Sequence, residues 1–132
     1  MRALYSLAED DLRACGLSRG KAKTVRLIAE ITEKEPGQLE GWRSLSFEEL
    51  KKETAQIWGL GDWSASVLAI FHFAHPDVFP LSDGSLVRAI RLVEQQVPKI
   101  GERLRHEAAA PFRSYLALTL WAALDNGHLA AA

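Results

Sequence analysis

At 132 residues, with 48% hydrophobic and 25% charged content, the chain is long enough for one domain with a single core and too short for two ordinary ones. Four Trp, five Phe and two Tyr exclude a disordered tail, and the single cysteine, Cys15, excludes an internal disulfide and cannot alone hold zinc or an iron–sulfur cluster. A formal net charge of −1 gives no bulk signature of a polyanion binder, so any such contact has to be local.

No stretch reaches the roughly 20 apolar residues of a membrane span, and the start lacks the charged-then-apolar order of a signal peptide. The expectation is a soluble, cytoplasmic protein without a membrane partner. Apolar residues recur at helical spacing throughout and no run alternates over strand length, so the predicted class is all-α.

In chain order, Ser6 with Glu9 forms a capping-box pattern before a short helix that stops at Gly16. Cys15, at the end of that helix, reads as a packing residue. Ser18 is the N-cap of a second helix, whose apolar face of Val25, Leu27, Ile28 and Ile31 runs until Pro36 and Gly37. Ser46 and Glu49 repeat the capping box for a third helix carrying Leu50 and Ile57, which meets the turn Trp58-Gly59-Leu60-Gly61. Trp63 to Phe73 then reads as the return helix.

His75 to Ser82, with two prolines, predicts an irregular connection, followed by a helix from about Gly84 to Gln95 that Pro98 ends. A short helix near Gly101 to Ala109 and a longer one from Pro111 to Leu124, closed by Asp125-Asn126-Gly127, complete the chain. Residues 1–132 are thus read as a single domain, with a helix-turn-helix hairpin at about 48–74.

Two places carry chemistry. A Gly-x-Gly turn between helices lets the backbone approach another molecule closely, and the amides opening the second helix can receive an anion; the same pattern also serves as an ordinary interhelical turn. Asp83, just before a helical pattern, reads by itself as an N-cap. Arg19, Lys21, Lys23 and Arg26 form either a solvated charged face or phosphate contacts. His72 and His75 have no partners in metal-ligand spacing, so no metal site is expected.

The stretch Gly59-Leu60-Gly61-Asp62-Trp63-Ser64-Ala65 resembles the hairpin signature of the helix-hairpin-helix DNA glycosylases. Downstream, Pro76-Asp77-Val78-Phe79-Pro80-Leu81-Ser82-Asp83-Gly84-Ser85-Leu86 is similar to the loop that brings the catalytic aspartate of that superfamily to its base pocket. A third match, Pro111-Phe112-Arg113-Ser114-Tyr115 with Trp121, resembles the last helix of the alkylated-base branch, the type of bacterial DNA-3-methyladenine glycosylase II.

The resemblance implies base excision repair by a monofunctional DNA N-glycosylase acting on alkylated purines in double-stranded DNA, without a cofactor. It assigns Asp83 as the catalytic carboxylate, Gly59, Leu60, Gly61, Trp63 and Ser64 as the DNA-contacting hairpin, and Trp63 as a lining of the base pocket. Members that also cut the DNA backbone carry a lysine nucleophile directly after Asp62, where this chain has Trp63. Taken without the resemblance, Trp63 is equally a core aromatic.

Two departures stand out. The residue before the hairpin glycine is usually proline and here is Trp58. Helices that precede the region resembling Leu12 to Ile31 also have no counterpart here, so the chain reads as the C-terminal portion of a glycosylase domain. On that reading it needs a second chain to supply the missing helices, and Leu4, Leu7, Leu12, Leu116, Leu118, Leu120 and Trp121 are expected to be left uncovered. The alternative is a noncatalytic hairpin module that binds DNA without sequence specificity.

Overall fold

A computed structural model describes residues 8–97, 99 and 104–129. Among the described residues there is no strand, and the all-α expectation is met. The helices are α1 (Glu9–Ala14), α2 (Arg19–Lys34), α3 (Gln38–Gly41), α4 (Phe47–Ala55), α5 (Asp62–Phe71), α6 (Gly84–Gln96) and α7 (Arg113–Asp125), with 3-10 turns at Trp42–Ser44 and His106–Ala109. None is long and apolar enough to cross a membrane. The chain divides between Ala65 and Ser66 into two compact units.

In the first unit, α1 packs against α2 and α2 against α3. Ser6 lies outside the described residues; α1 is instead capped at Ala8, whose amide donates to the Asp11 carboxylate at 3.0 Å. The helix ends where predicted. Gly16, at φ +92°, lets its amide reach the Arg13 carbonyl and the Leu17 amide reach the Leu12 carbonyl, which satisfies two C-terminal acceptors. Leu12 is buried, contrary to the expectation that it is uncovered, because the α1–α2 contact encloses it. Cys15 is exposed rather than packed, since it follows the last turn of α1.

Ser18 accepts from the Lys21 amide at 3.3 Å and opens α2 as expected. The fully buried positions of α2 are Ala22 and Ala29, with Val25, Leu27, Ile28 and Ile31 half-buried around them. Small residues at the centre of this face allow close approach, which an apolar-pattern reading weighted toward large side chains misses. The four-residue α3 was also not anticipated; a single turn after Gly37 is too short to display periodicity. At α4 the capping box forms in full: the Glu49 amide donates to Ser46 Oγ at 3.3 Å, and the Ser46 amide donates to Glu49 Oε2 at 2.8 Å. The Ser46 hydroxyl also donates to Glu49 Oε2, at 2.6 Å, and this bond first, then that of the Ser46 amide, draws the Glu49 carboxyl below its ordinary range.

In the second unit, α6 packs against α7, and their buried positions are Leu86, Ala89 and Leu92 on one helix and Ser114, Ala117 and Leu120 on the other. Leu120 is therefore covered, another correction, while Leu116, Leu118 and Trp121 are half-buried. Leu4 and Leu7 lie outside the described residues. Pro111 does not sit in the first turn of α7: its peptide bond with Ala110 is cis, and Phe112 at φ −122°, ψ 30° keeps the chain out of helical geometry until Arg113. Of the short helix expected near Gly101 to Ala109, only the 3-10 turn His106–Ala109 falls among the described residues. The predicted irregular connection, two prolines included, joins α5 to α6.

Candidate functional site

The hairpin turn is built from α4, the first turn of α5 and the start of α2, all in the first unit. After α4 ends, the Ile57 amide donates to the Thr54 carbonyl and the Leu60 amide to the Ile57 carbonyl, both at 3.0 Å. Gly59 stands between them at φ +89°, a backbone region that disfavours any side chain. A second constraint applies at the same residue, because a Cβ there would lie 2.2 Å from Thr24 Oγ1. That hydroxyl reaches the Trp58 carbonyl at 3.0 Å and the Gly20 carbonyl of its own helix at 3.1 Å. Gly61 has open space where a Cβ would project, and its carbonyl accepts the first helical bond of α5, from Ala65 at 3.0 Å.

Trp58, where the resemblance leads one to expect proline, is tied to the same helix. Lys23 places its ammonium 4.2 Å from the centre of the indole ring, and a Cβ on Gly20 would meet Trp58 at 3.5 Å. The sequence signal for this contact was the basic cluster at the start of α2, read there without a partner. Of the assigned hairpin residues, Gly59, Gly61 and Trp63 are exposed, and Leu60 and Ser64 are half-buried. Trp63 is 51% exposed on the first turn of α5, which removes the core-aromatic reading.

The carboxylate belongs to the second unit. Asp83 is the N-cap of α6: it adopts extended geometry and accepts the Leu86 amide on Oδ1 at 2.9 Å, while Ser85 Oγ donates to the same oxygen. The residue is only 8% exposed. Trp121, reaching from α7, donates its indole N–H to Ser85 Oγ at 3.0 Å and lies 3.5 Å from Asp83 Oδ1. Phe71, at the end of α5, stacks on Trp121 with ring centres 5.7 Å apart and planes at 27°. The anion therefore lies at the N–H edge of the Trp121 indole, with donors and the positive end of a helix directed at it.

What sets the loop before Asp83 is the Arg-Ser pair that opens α7. Ser114 Oγ donates toward the His75 carbonyl at 2.6 Å and receives the Val78 amide at 2.9 Å, and the Ser114 amide donates to the Pro76 carbonyl at 3.0 Å. Arg113 binds Asp77 through Nε at 2.6 Å, Nη2 at 2.9 Å and its own amide at 3.2 Å. The guanidinium holds the Asp77 carboxyl below the ordinary aspartate range. The loop's backbone groups are thereby answered from another element, so it can be irregular and still fixed. Sequence reasoning identified Arg113 and Ser114 as part of a resemblance without finding this task, and it did not single out Ser85, Phe71 or Thr24.

No family model matches the sequence. The chain is 39% identical over 116 residues to DNA-3-methyladenine glycosylase 1 of Schizosaccharomyces pombe, an alignment covering 83% of this chain and 50% of that protein. It is 30% identical over 129 residues to YfjP of Bacillus subtilis, covering 92% of this chain and 44% of that one. Among solved structures it is similar to the S. pombe 3-methyladenine DNA glycosylase in complex with abasic DNA, with a TM-score of 0.77, 32% identity, and coverage of 91% of this chain and 60% of the other. The chain spans about half the length of the curated relatives it matches. Over the part of them that it spans, the chain is similar in sequence and in fold to the 3-methyladenine DNA glycosylases.

Proposed function

We propose that these residues serve a monofunctional DNA N-glycosylase that removes alkylated purines from double-stranded DNA, with Asp83 as its catalytic carboxylate. The observation that carries the reading is Asp83 itself, a nearly buried carboxylate at the N–H edge of the Trp121 indole. An alkylated purine bearing positive charge is attracted to an aromatic face, and a carboxylate beside it opposes the charge that develops on the sugar.

The step balances as a hydrolysis. The bond between C1′ and the base nitrogen breaks, its electron pair leaves with the base, and the cationic base departs neutral. The sugar carries the positive charge in an oxocarbenium-like state that the carboxylate stabilises. Water adds at C1′ and gives up a proton toward the carboxylate, leaving an abasic site. Trp63 offers no amine, so no Schiff base forms and the DNA backbone is left uncut.

The hairpin Gly59, Leu60, Gly61, Trp63 and Ser64 is the proposed backbone contact, with Lys23, held over the Trp58 ring, as a cation beside it. Such a contact reads phosphate and not sequence. Trp63, exposed at the start of α5, is the proposed pocket lining.

Excision is tested on a duplex carrying one 7-methylguanine, by the alkali-labile abasic site it leaves, with the longest natural chain that carries these residues. Release of the base without direct strand cleavage supports the reading. Tight, salt-sensitive DNA binding without release would favour the noncatalytic module instead.

A further inference from the structure

The hydroxyl between Trp121 and Asp83 has a defined polarity. An indole N–H can only donate, and Trp121 donates to Ser85 Oγ at 3.0 Å. A serine hydroxyl has one proton, and here it is directed to Asp83 Oδ1, an oxygen that also takes the Leu86 amide. The order is therefore Trp121 to Ser85 to Asp83. The direct approach of the indole nitrogen to the carboxylate, at 3.5 Å, is at the limit of a hydrogen bond, so the hydroxyl is the main link. The three residues come from two helices, and Ser85 alone touches both of the others closely.

From this arrangement we infer that Ser85 is a positioning residue that holds the Trp121 ring and the Asp83 carboxylate in a fixed register. The inference rests on reading Asp83 as the catalytic carboxylate. A base seated on the indole must have its sugar at a set distance from the anion, and a carboxylate free to rotate about its side-chain bonds would meet that distance only part of the time. Ser85 adds to the hold of the Leu86 amide on the carboxylate at one end and orients the ring at the other. It lies at the surface in the first turn of α6, where alanine is compatible with helix, so its removal leaves the fold in place.

The test uses the Trp121 indole N–H resonance in a 15N-labelled chain, assigned as the indole signal lost in Trp121→Phe. Asp83→Asn shifts this resonance by more when Ser85 is present than in a Ser85→Ala background, whereas Ser85→Thr keeps the full response. In excision assays Ser85→Ala lowers kcat roughly tenfold, the scale of one hydrogen bond to a charged group, with KM little changed. Ser85→Thr restores most of the rate. An indole that responds to Asp83→Asn equally with and without the Ser85 hydroxyl would overturn the inference, as would Ser85→Ala excising at the wild-type rate. If the wild-type protein excises nothing, the proposed function fails, while the resonance experiment still decides the role of Ser85.

Discussion

Arg113 grips Asp77 from three directions, through two guanidinium nitrogens and its backbone amide, and so fastens the loop that leads to Asp83 onto the start of α7. The pair gives the fold a pH dependence of known sign. Because the folded Asp77 carboxyl lies below its ordinary value of about 3.9, its contribution to stability is complete above that value and is lost as pH falls through the lower folded one. Asp77→Asn is expected to flatten the acid limb of a stability profile measured by denaturant unfolding between about pH 2 and 5. An unchanged acid limb would show that the pair does not form in solution.

Ser114 answers three backbone groups of the same loop with one hydroxyl and one amide. Ser114→Ala leaves the buried Val78 amide without its acceptor and should cost about 1–3 kcal/mol in unfolding free energy. The loss should appear in the chemical denaturation midpoint, and excision should fall with it, since the loop sets the approach to Asp83.

Asp83→Asn separates charge from shape. Asparagine caps a helix about as well as aspartate, so stability should stay within about 1 kcal/mol of wild type. Excision should drop roughly a hundredfold or more, because the charge opposing the sugar cation is gone, while affinity for abasic DNA is little changed. Excision by this variant at a rate near wild type would remove Asp83 from the mechanism.

Gly59 and Thr24 form a coupled pair. Gly59→Ala meets an unfavourable φ, worth about 1–2 kcal/mol, and also displaces the Thr24 hydroxyl from the Trp58 carbonyl, worth about 1 more. In a Thr24→Ala background the second cost vanishes. A double-mutant cycle by thermal unfolding should therefore show the two changes together costing less than their sum.

Gly61, by contrast, has room for a side chain, so Gly61→Ala should fold normally. Gly61→Glu should fold too, yet weaken DNA binding more than tenfold by setting a carboxylate against the phosphate. Asp62 already places one carboxylate in the first turn of α5, so Asp62→Asn should tighten binding roughly fivefold at low salt, about 1 kcal/mol of Coulomb repulsion. Lys23→Gln should reduce the slope of log K against log salt by roughly 0.9, the share of one phosphate contact. A salt titration by fluorescence anisotropy measures all three.

What the amino-acid sequence made legible was local. The caps at Ser18, Ser46 and Asp83 and the stop at Gly16 are each decided within about one helical turn, so neighbouring residue types announce them. The contacts that build the candidate site are not of this kind. Thr24 meets Trp58 across 34 positions, and Trp121 meets Ser85 across 36, and no periodicity encodes such partnerships. Pro111 shows a local rule misleading: proline suits the first turn of a helix, but the unfavourable geometry of Phe112 delays that turn to Arg113. Asp83 was found through its resemblance, whereas the serine two residues later looked like any other surface serine.

The residue before Gly59 is Trp58 and not a proline, and this decides where the shape of the turn is stored. A proline ring fixes its backbone from within, and such a turn could be moved into another protein intact. Here the Thr24 hydroxyl, the Lys23 ammonium and the bare backbone of Gly20 hold the turn from outside, all presented by one face of α2. The hairpin is therefore not a portable module. A peptide comprising α4, the turn and α5 alone would lose its geometry, and grafting this hairpin onto another scaffold would require bringing the start of α2 with it.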